Sequence, residues 1–173
     1  LMIVGLMAKA ALFPLHIWLP PAHAGAPAAA SAVLSALVVK APFFIILRLW
    51  FDLSPQPRNL VAAHMLAGLG MASIIFCSVM ALRQARLKLM IAYSTVAQVG
   101  YLFLMFPLVM ASDAPTVWQS IGWTGGTLQL VSHALAKASM FLAAGLIAEA
   151  LGHDRIDDLN GAVTAVPISV AAF

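Results

Sequence analysis

Long apolar runs separated by short polar links dominate this chain. They cover residues 1–18, 28–51, 60–82, 89–110 and 121–151, and a further run opens near residue 162 and continues to 173. A helix needs roughly 20 apolar residues to cross hydrocarbon, and the complete runs meet that length. The 121–151 run is long enough to tilt, to break or to include a surface segment. Leu, Ala and Met prevail and period-two alternation is absent, so the pattern predicts helices that satisfy their own backbone in lipid. The expected architecture is an all-α polytopic membrane protein, one transmembrane domain over residues 1–173. The chain starts and stops inside apolar runs with no basic signal-peptide start. It reads as an internal fragment of a longer protein.

Composition agrees. Of 173 residues, 63% are hydrophobic and only 9% charged, with mean hydropathy +1.00. A soluble domain carries about 25% charged residues. The net charge of +3 is small and the basic residues are scattered, which gives nucleic-acid binding no support. The single Cys77 cannot form an intrachain disulfide and reads as a small buried hydrophobe. Lys and Arg set orientation. Arg83, Arg86 and Lys88 make the most basic link, so that turn is predicted to be cytoplasmic. The 82–89 link has the same side as HDRIDDLNG, which is net acidic; Arg58, with Arg48 before it, lies opposite.

Charge inside the oily runs changes the picture. Lys9, Lys40 and Lys137 sit deep in such runs, where an ammonium costs a few kcal/mol even on the lower scale. A simple anchor has little use for three of them. Arg48, near the end of its run, fits a snorkelling residue. Lys40, near the middle, fits an interior-facing functional group better.

The first run is interrupted. Pro14, Pro20, Pro21 and Pro27 fall within FPLHIWLPPAHAGAPAAAS, and proline both removes a donor and clashes with the preceding turn. Non-helical backbone at membrane depth must be buried by other helices or border a hydrated cavity. An interrupted helix beside a lysine is how transporters build ion sites; an interfacial loop anchored by Trp18 is the plainer reading. His16 and His23 flank the break, seven residues apart. That spacing does not match a helical metal pair, so helix-end packing or a proton-path role remains.

The order of these features is specific. The segment AKAALFPLHIWLPPAHAGAPAAASAVLSALVVKAPFFIILRL has a lysine, then P-x-H-x-W-L-P-x-A, an A-P step and a further lysine in the next helix. Lys9, Pro14, His16, Trp18, Leu19, Pro20, Ala22, Ala26, Pro27 and Lys40 carry it. RLKLMIAYSTVAQVGY follows, through Lys88, Ala92, Tyr93, Ser94, Gln98, Gly100 and Tyr101. SHALAKASMFLAAG comes last, through His133, Lys137, Phe141 and Gly145. Together they closely resemble the antiporter-like, proton-pumping membrane subunits. Respiratory complex I, the group 4 membrane-bound hydrogenases and the multisubunit Mrp-type sodium/proton antiporters share these subunits.

That resemblance implies an inverted-repeat transporter-like fold and a lysine, histidine and water path along the mid-membrane plane. Lys9 would be the switch lysine, charged beside a carboxylate and releasing its proton when that partner withdraws. Lys40 would pass the proton laterally. His133 and Lys137, at i and i+4 on one helix face, would continue the path. Lys88, at a helix start, is equally a structural or lipid contact. Ser94, Thr95 and Gln98 would order water or bond helices together. Two departures stand out. Arg86 replaces an acidic residue often found two before Lys88, and Gln129 stands where some members have a histidine. The partner glutamate and the late ionisable residue of the final broken helix are expected outside this segment.

Three functions follow. One is a proton-translocating subunit of an NADH:quinone oxidoreductase-like or hydrogenase complex. The second is a cation/proton antiporter subunit without electron transfer, moving H+ or Na+. The third is a structural membrane scaffold, which the intramembrane lysines argue against. Partners would be other membrane subunits, lipid and protons, with any quinone elsewhere in the assembly, and the expected setting is a bacterial inner membrane. The residues supply no metal set, no cofactor motif and no catalytic constellation. The GGT at Gly125 to Thr127 reads as a helix-flanking turn.

Overall fold

The structure is a computed structural model that describes residues 1–53, 59–110, 116–159 and 165–172. Arg58, Asn160, the predicted opening of the last run at 162 and its end at 173 lie outside the described residues. Nine α-helices occur among those described: α1 Met2–Lys9, α2 Leu19–Gly25, α3 Ala28–Val33, α4 Lys40–Arg48, α5 Leu60–Leu82, α6 Leu87–Phe103, α7 Met105–Met110, α8 Thr116–Leu151 and α9 Pro167–Ala172. They contain no strand, only an isolated antiparallel bridge between Arg86 and Arg155. Four helical stretches are long and apolar enough to cross a membrane: Ala28–Asp52, Leu60–Leu82, Leu87–Met110 and Val117–Leu151. The protein is an all-α polytopic membrane protein.

Local chemistry accounts for the breaks. Helix α1 ends at Lys9 with Ala10 as its cap, and buried Ala11 adopts φ +57. That left-handed conformation costs an L-residue roughly 1–2 kcal/mol, and packing must hold it there. Proline at 14 disfavours helical geometry at the residue before it, so α1 cannot continue past the break. The Trp18 indole donates to the Ala8 carbonyl at 2.8 Å, supplying a partner to the open end of α1. Helix α2 begins with Pro20 and Pro21 in its first turn, where a missing N–H costs nothing. Asn59 starts α5 by accepting from the Ala62 amide at 3.2 Å.

Ala28–Asp52 is continuous but not uniform. Residues Leu34–Val38 form a π-helical turn, and Leu49–Leu53 form another. At the first of these the Val39 amide reaches the Leu34 carbonyl at 3.3 Å, one residue beyond its α-helical acceptor Ser35. The widened turn precedes Pro42, which cannot donate to the turn behind it.

Helices α5 and α6 touch backbone to backbone at Gly70 and Gly100. A Cβ at Gly70 would stand 2.6 Å from the Gly100 carbonyl oxygen, and the reverse substitution gives 2.5 Å. Ser73 reinforces the seam by donating to the Val96 carbonyl at 3.1 Å. Small residues allow this close packing, on which helix association in lipid depends. On the other side of α6, α8 packs Gly145 against Ala28 of α3. Phe43, Phe103 and Phe106 pack edge-on or stacked between α4 and α6–α7, with Trp50 edge-on to Phe106.

The links before α6 and after α8 share one end of the bundle. The Leu87 amide donates to the Asp154 carbonyl at 2.8 Å and the Ile156 amide to the Ala85 carbonyl at 2.9 Å. Arg86 Nε pairs with the Asp154 carboxylate at 3.0 Å. Arg48 pairs with Asp52 at the far end of its helix, both side chains largely exposed.

Candidate functional site

Helix α8 has two faces. Leu128, Val131, Leu135, Leu142 and Leu146 are exposed, whereas Gly122, His133, Lys137, Phe141 and Ala144 are buried. The apolar outer face suits lipid, and the two titratable groups follow the inner stripe at i and i+4. His133 is 5% exposed and Lys137 4%. This inward placement disfavours a lipid-facing or interfacial position for the pair.

The opposing wall comes from α6 and from the Ala28–Asp52 helix. Lys137 Nζ donates to Ser94 Oγ at 2.5 Å, and the Ser94 hydroxyl donates in turn to the Ile91 carbonyl at 2.8 Å. A hydroxyl has one proton but two lone pairs, so Ser94 serves both neighbours. Lys40, 4% exposed, falls midway between Ala28 and Asp52. Its Nζ donates to the Ser35 carbonyl, the group released when Val39 bonds back to Leu34. A π-turn thus supplies the intramembrane ammonium with an acceptor on its own helix. Such turns recur at functional sites.

Ser35 also crosses to α6. Its hydroxyl lies 3.0 Å from Thr95 Oγ1, and Thr95 already donates to the Ile91 carbonyl at 2.9 Å. Ser35 is therefore the donor of that pair. One turn along α6, Gln98 Oε1 accepts from Gln129 Nε2 at 2.7 Å. Ser94–Lys137 and Gln98–Gln129 make two rungs between α6 and α8.

Lys40, His133 and Lys137 lie within electrostatic reach of one another, and His23 within reach of Lys137. His23 is fully buried and stacks on Phe141 at 4.4 Å between ring centroids. Both ring nitrogens of His23 and of His133 lack a protein partner among the described residues. A buried imidazole that bonds no protein group is unusual, and it suits a group that bonds transient water. No carboxylate is buried among the described residues, and no three His, Cys, Asp or Glu converge there as for a metal ion.

The other candidate residues lie apart from this seam. Lys9 is exposed and, with Ala8, Trp18, Leu34 and Val38, lines a separate cavity of about 460 Å³. His16 is 6% exposed and packs against Phe13 and Phe76. Pro14 and Pro20 line a cavity beside His16, and Pro27 caps the start of α3. Lys88 Nζ donates to the Ala26 carbonyl at 3.3 Å and so ties α6 to the end of α2. Sequence reasoning passed over Ser35, because residues five apart share a helix face only across a π-turn. The i, i+4 spacing of Ser31 and Ser35 was the available signal.

Two lysines and a histidine are thus buried along one internal polar seam of a helical membrane bundle. The chain belongs to the family described as NADH:quinone oxidoreductase/Mrp antiporter, TM, which matches residues 1–173. It is 34% identical over 172 residues to NADH-quinone oxidoreductase subunit N of Desulforudis audaxviator, covering 99% of this chain and 32% of that protein. It is 33% identical over 168 residues to a hydrogenase-4 component F homolog of Methylacidiphilum infernorum, covering 96% and 33%. Among solved structures, a chain of the membrane-bound sulfane sulfur reductase, an archaeal respiratory membrane complex, superposes with TM-score 0.78 at 28% identity, covering 96% of this chain and 34% of that one. The chain spans about a third of the length of the curated relatives it matches.

Proposed function

We propose that the full-length protein is a proton-translocating membrane subunit of a respiratory NADH:quinone oxidoreductase-like or membrane-bound hydrogenase complex. Within it, this segment forms part of a mid-membrane relay through Lys40, His133 and Lys137. The observation that carries the reading is the burial of these groups on one internal seam without a buried carboxylate among the described residues. Three basic side chains share this buried seam, an arrangement suited to handing a proton from one to the next. Ser94 and Ser35 hold the two amines in place from neighbouring backbone and hydroxyl groups. Water bonded to the unpartnered His133 nitrogens would bridge the steps. Lys9, on the wall of its own cavity, would serve as the switch lysine beside a carboxylate contributed from elsewhere in the full protein.

Other membrane subunits would be the partners, and redox chemistry including any quinone would belong to them. The resident membrane would be a bacterial inner membrane, with the Arg83–Lys88 turn cytoplasmic by the excess of Lys and Arg there. A second reading is a cation/proton antiporter subunit without electron transfer, which the family's inclusion of Mrp antiporters supports.

The test uses the full-length protein assembled in its membrane complex and reconstituted in liposomes. Proton uptake driven by the electron-transfer reaction is expected, with at least about tenfold loss in Lys40→Ala and Lys137→Ala. Wild-type uptake in both variants would overturn the relay. Uptake driven only by an imposed Na+ gradient would favour the antiporter reading.

A further inference from the structure

The two rungs between α6 and α8 differ in chemistry. Ser94–Lys137 includes a titratable amine, whereas Gln98–Gln129 joins two neutral amides at 2.7 Å. Gln129 lies one helical turn before His133 on the same face of α8, so the amides are the next polar groups along the seam. Both glutamines, with His64 and Tyr101, give polar groups to a cavity of about 930 Å³ whose wall is otherwise largely apolar, Leu104, Met105 and Leu108 among it. That cavity occupies the half of the bundle away from the Arg83–Lys88 turn, where α7 and the start of α8 form its walls. Beyond the amides the seam continues to His133, whose ring nitrogens are unpartnered among the described residues.

We infer that Gln98 and Gln129 form a gate between this cavity, acting as a water-filled vestibule, and the His133–Lys137 segment of the relay. The inference rests on the relay reading above and deepens it. A carboxamide carries donors and an acceptor together but has no proton to release. Bonded to each other, the two amides bridge α6 and α8 and occupy the seam, and the donor and acceptor they share are withheld from water. Turned toward water instead, each can bond a solvent chain that reaches His133. The pair exchanges one amide–amide bond for amide–water bonds of similar strength, which makes both arrangements accessible. An apolar constriction at the same place would exclude water altogether. The amides thus set when a proton enters the relay, without carrying it themselves.

The experiment measures passive and driven proton flux in liposomes containing the full-length protein in its complex. Passive flux is read from an internal pH dye under an imposed pH gradient with no electron donor. Gln98→Ala with Gln129→Ala removes the amides and leaves space, and passive leak is expected to rise about tenfold. Gln98→Leu with Gln129→Leu fills the same space with apolar groups; leak should stay at the wild-type level while driven uptake falls about tenfold. A merely structural role would not raise the leak in one pair while leaving it at the wild-type level, with driven uptake lost, in the other. Wild-type leak in the alanine pair, or wild-type driven uptake in the leucine pair, would overturn the gate. Adding Lys137→Ala to the alanine pair is expected to abolish the leak. A leak that survives it would keep the gate and overturn the route through Lys137. Native-gel migration of each complex reports assembly.

Discussion

The ammonium of Lys137 and the hydroxyl of Ser94 meet at 2.5 Å across the boundary between α8 and α6. Ser94 donates onward to the Ile91 carbonyl, so its lone pairs face the amine. Nothing in the order of residues announces this pairing, because 43 positions separate the two in the chain. It fixes where the amine points within the seam.

Ser94→Ala should therefore weaken transport without removing the amine. A hydrogen bond to a charged group contributes about 1.5–3 kcal/mol, but a freed lysine can turn to water. Driven proton uptake is expected to fall about three- to tenfold, with Ser94→Thr close to wild type. Equal rates in Ser94→Ala and wild type would show that the contact does not position Lys137.

Lys40 and Arg48 provide an internal contrast on one helix. Lys40 is buried at mid-span, whereas Arg48 is exposed and paired with Asp52. Lys40→Ala is expected to cost at least about tenfold in uptake. Arg48→Ala should change it less than about twofold, since exposed pairs contribute little. Rates reduced equally and mildly in both would place Lys40 among structural groups.

The Gly70–Gly100 contact predicts a stability effect separate from transport. Gly100→Ala brings a methyl against the Gly70 carbonyl, and overpacking of this kind costs about 1–3 kcal/mol. Gly68, on the same helix as Gly70, has open space at its Cβ position. Thermal denaturation of the purified complex should show a lowered midpoint for Gly100→Ala and none for Gly68→Ala. Matching midpoints would mean that α5 and α6 do not meet backbone to backbone at this point.

Arg86 and Asp154 tie the two links at one end of the bundle. With Arg86 half-exposed, the pair should contribute under about 1 kcal/mol. Single charge removals should leave uptake unchanged, and the exchange Arg86→Asp with Asp154→Arg should recover any lost stability. Loss of uptake in Arg86→Ala, with the complex assembled, would give this tie a part in transport.

The fold class was legible because hydrocarbon demands long apolar helices, and the seam's titratable groups were legible because charge is costly inside them. Lys9, Lys40 and Lys137 stood out for that reason and His133 through the family resemblance, although Lys9 lies apart from the seam. What holds them was not legible. The Ser35 carbonyl reaches Lys40 only through a π-turn, which the residues of that helix do not announce. The left-handed Ala11 ends α1 before the first proline, a placement set by tertiary packing rather than by local preference. Arg86 read as the loss of an acidic partner; its carboxylate instead arrives from Asp154, 68 positions later. Glycine at 70 and 100 is compatible with any helix interior until the neighbouring backbone is known.

The most direct test is a high-resolution density map of the full-length protein in its complex within a lipid nanodisc. Ordered water bonded to the His133 nitrogens, and continuing toward the amines of Lys40 and Lys137, is the predicted result. Dry, closed packing around His133, with either amine reaching lipid headgroups, would contradict it.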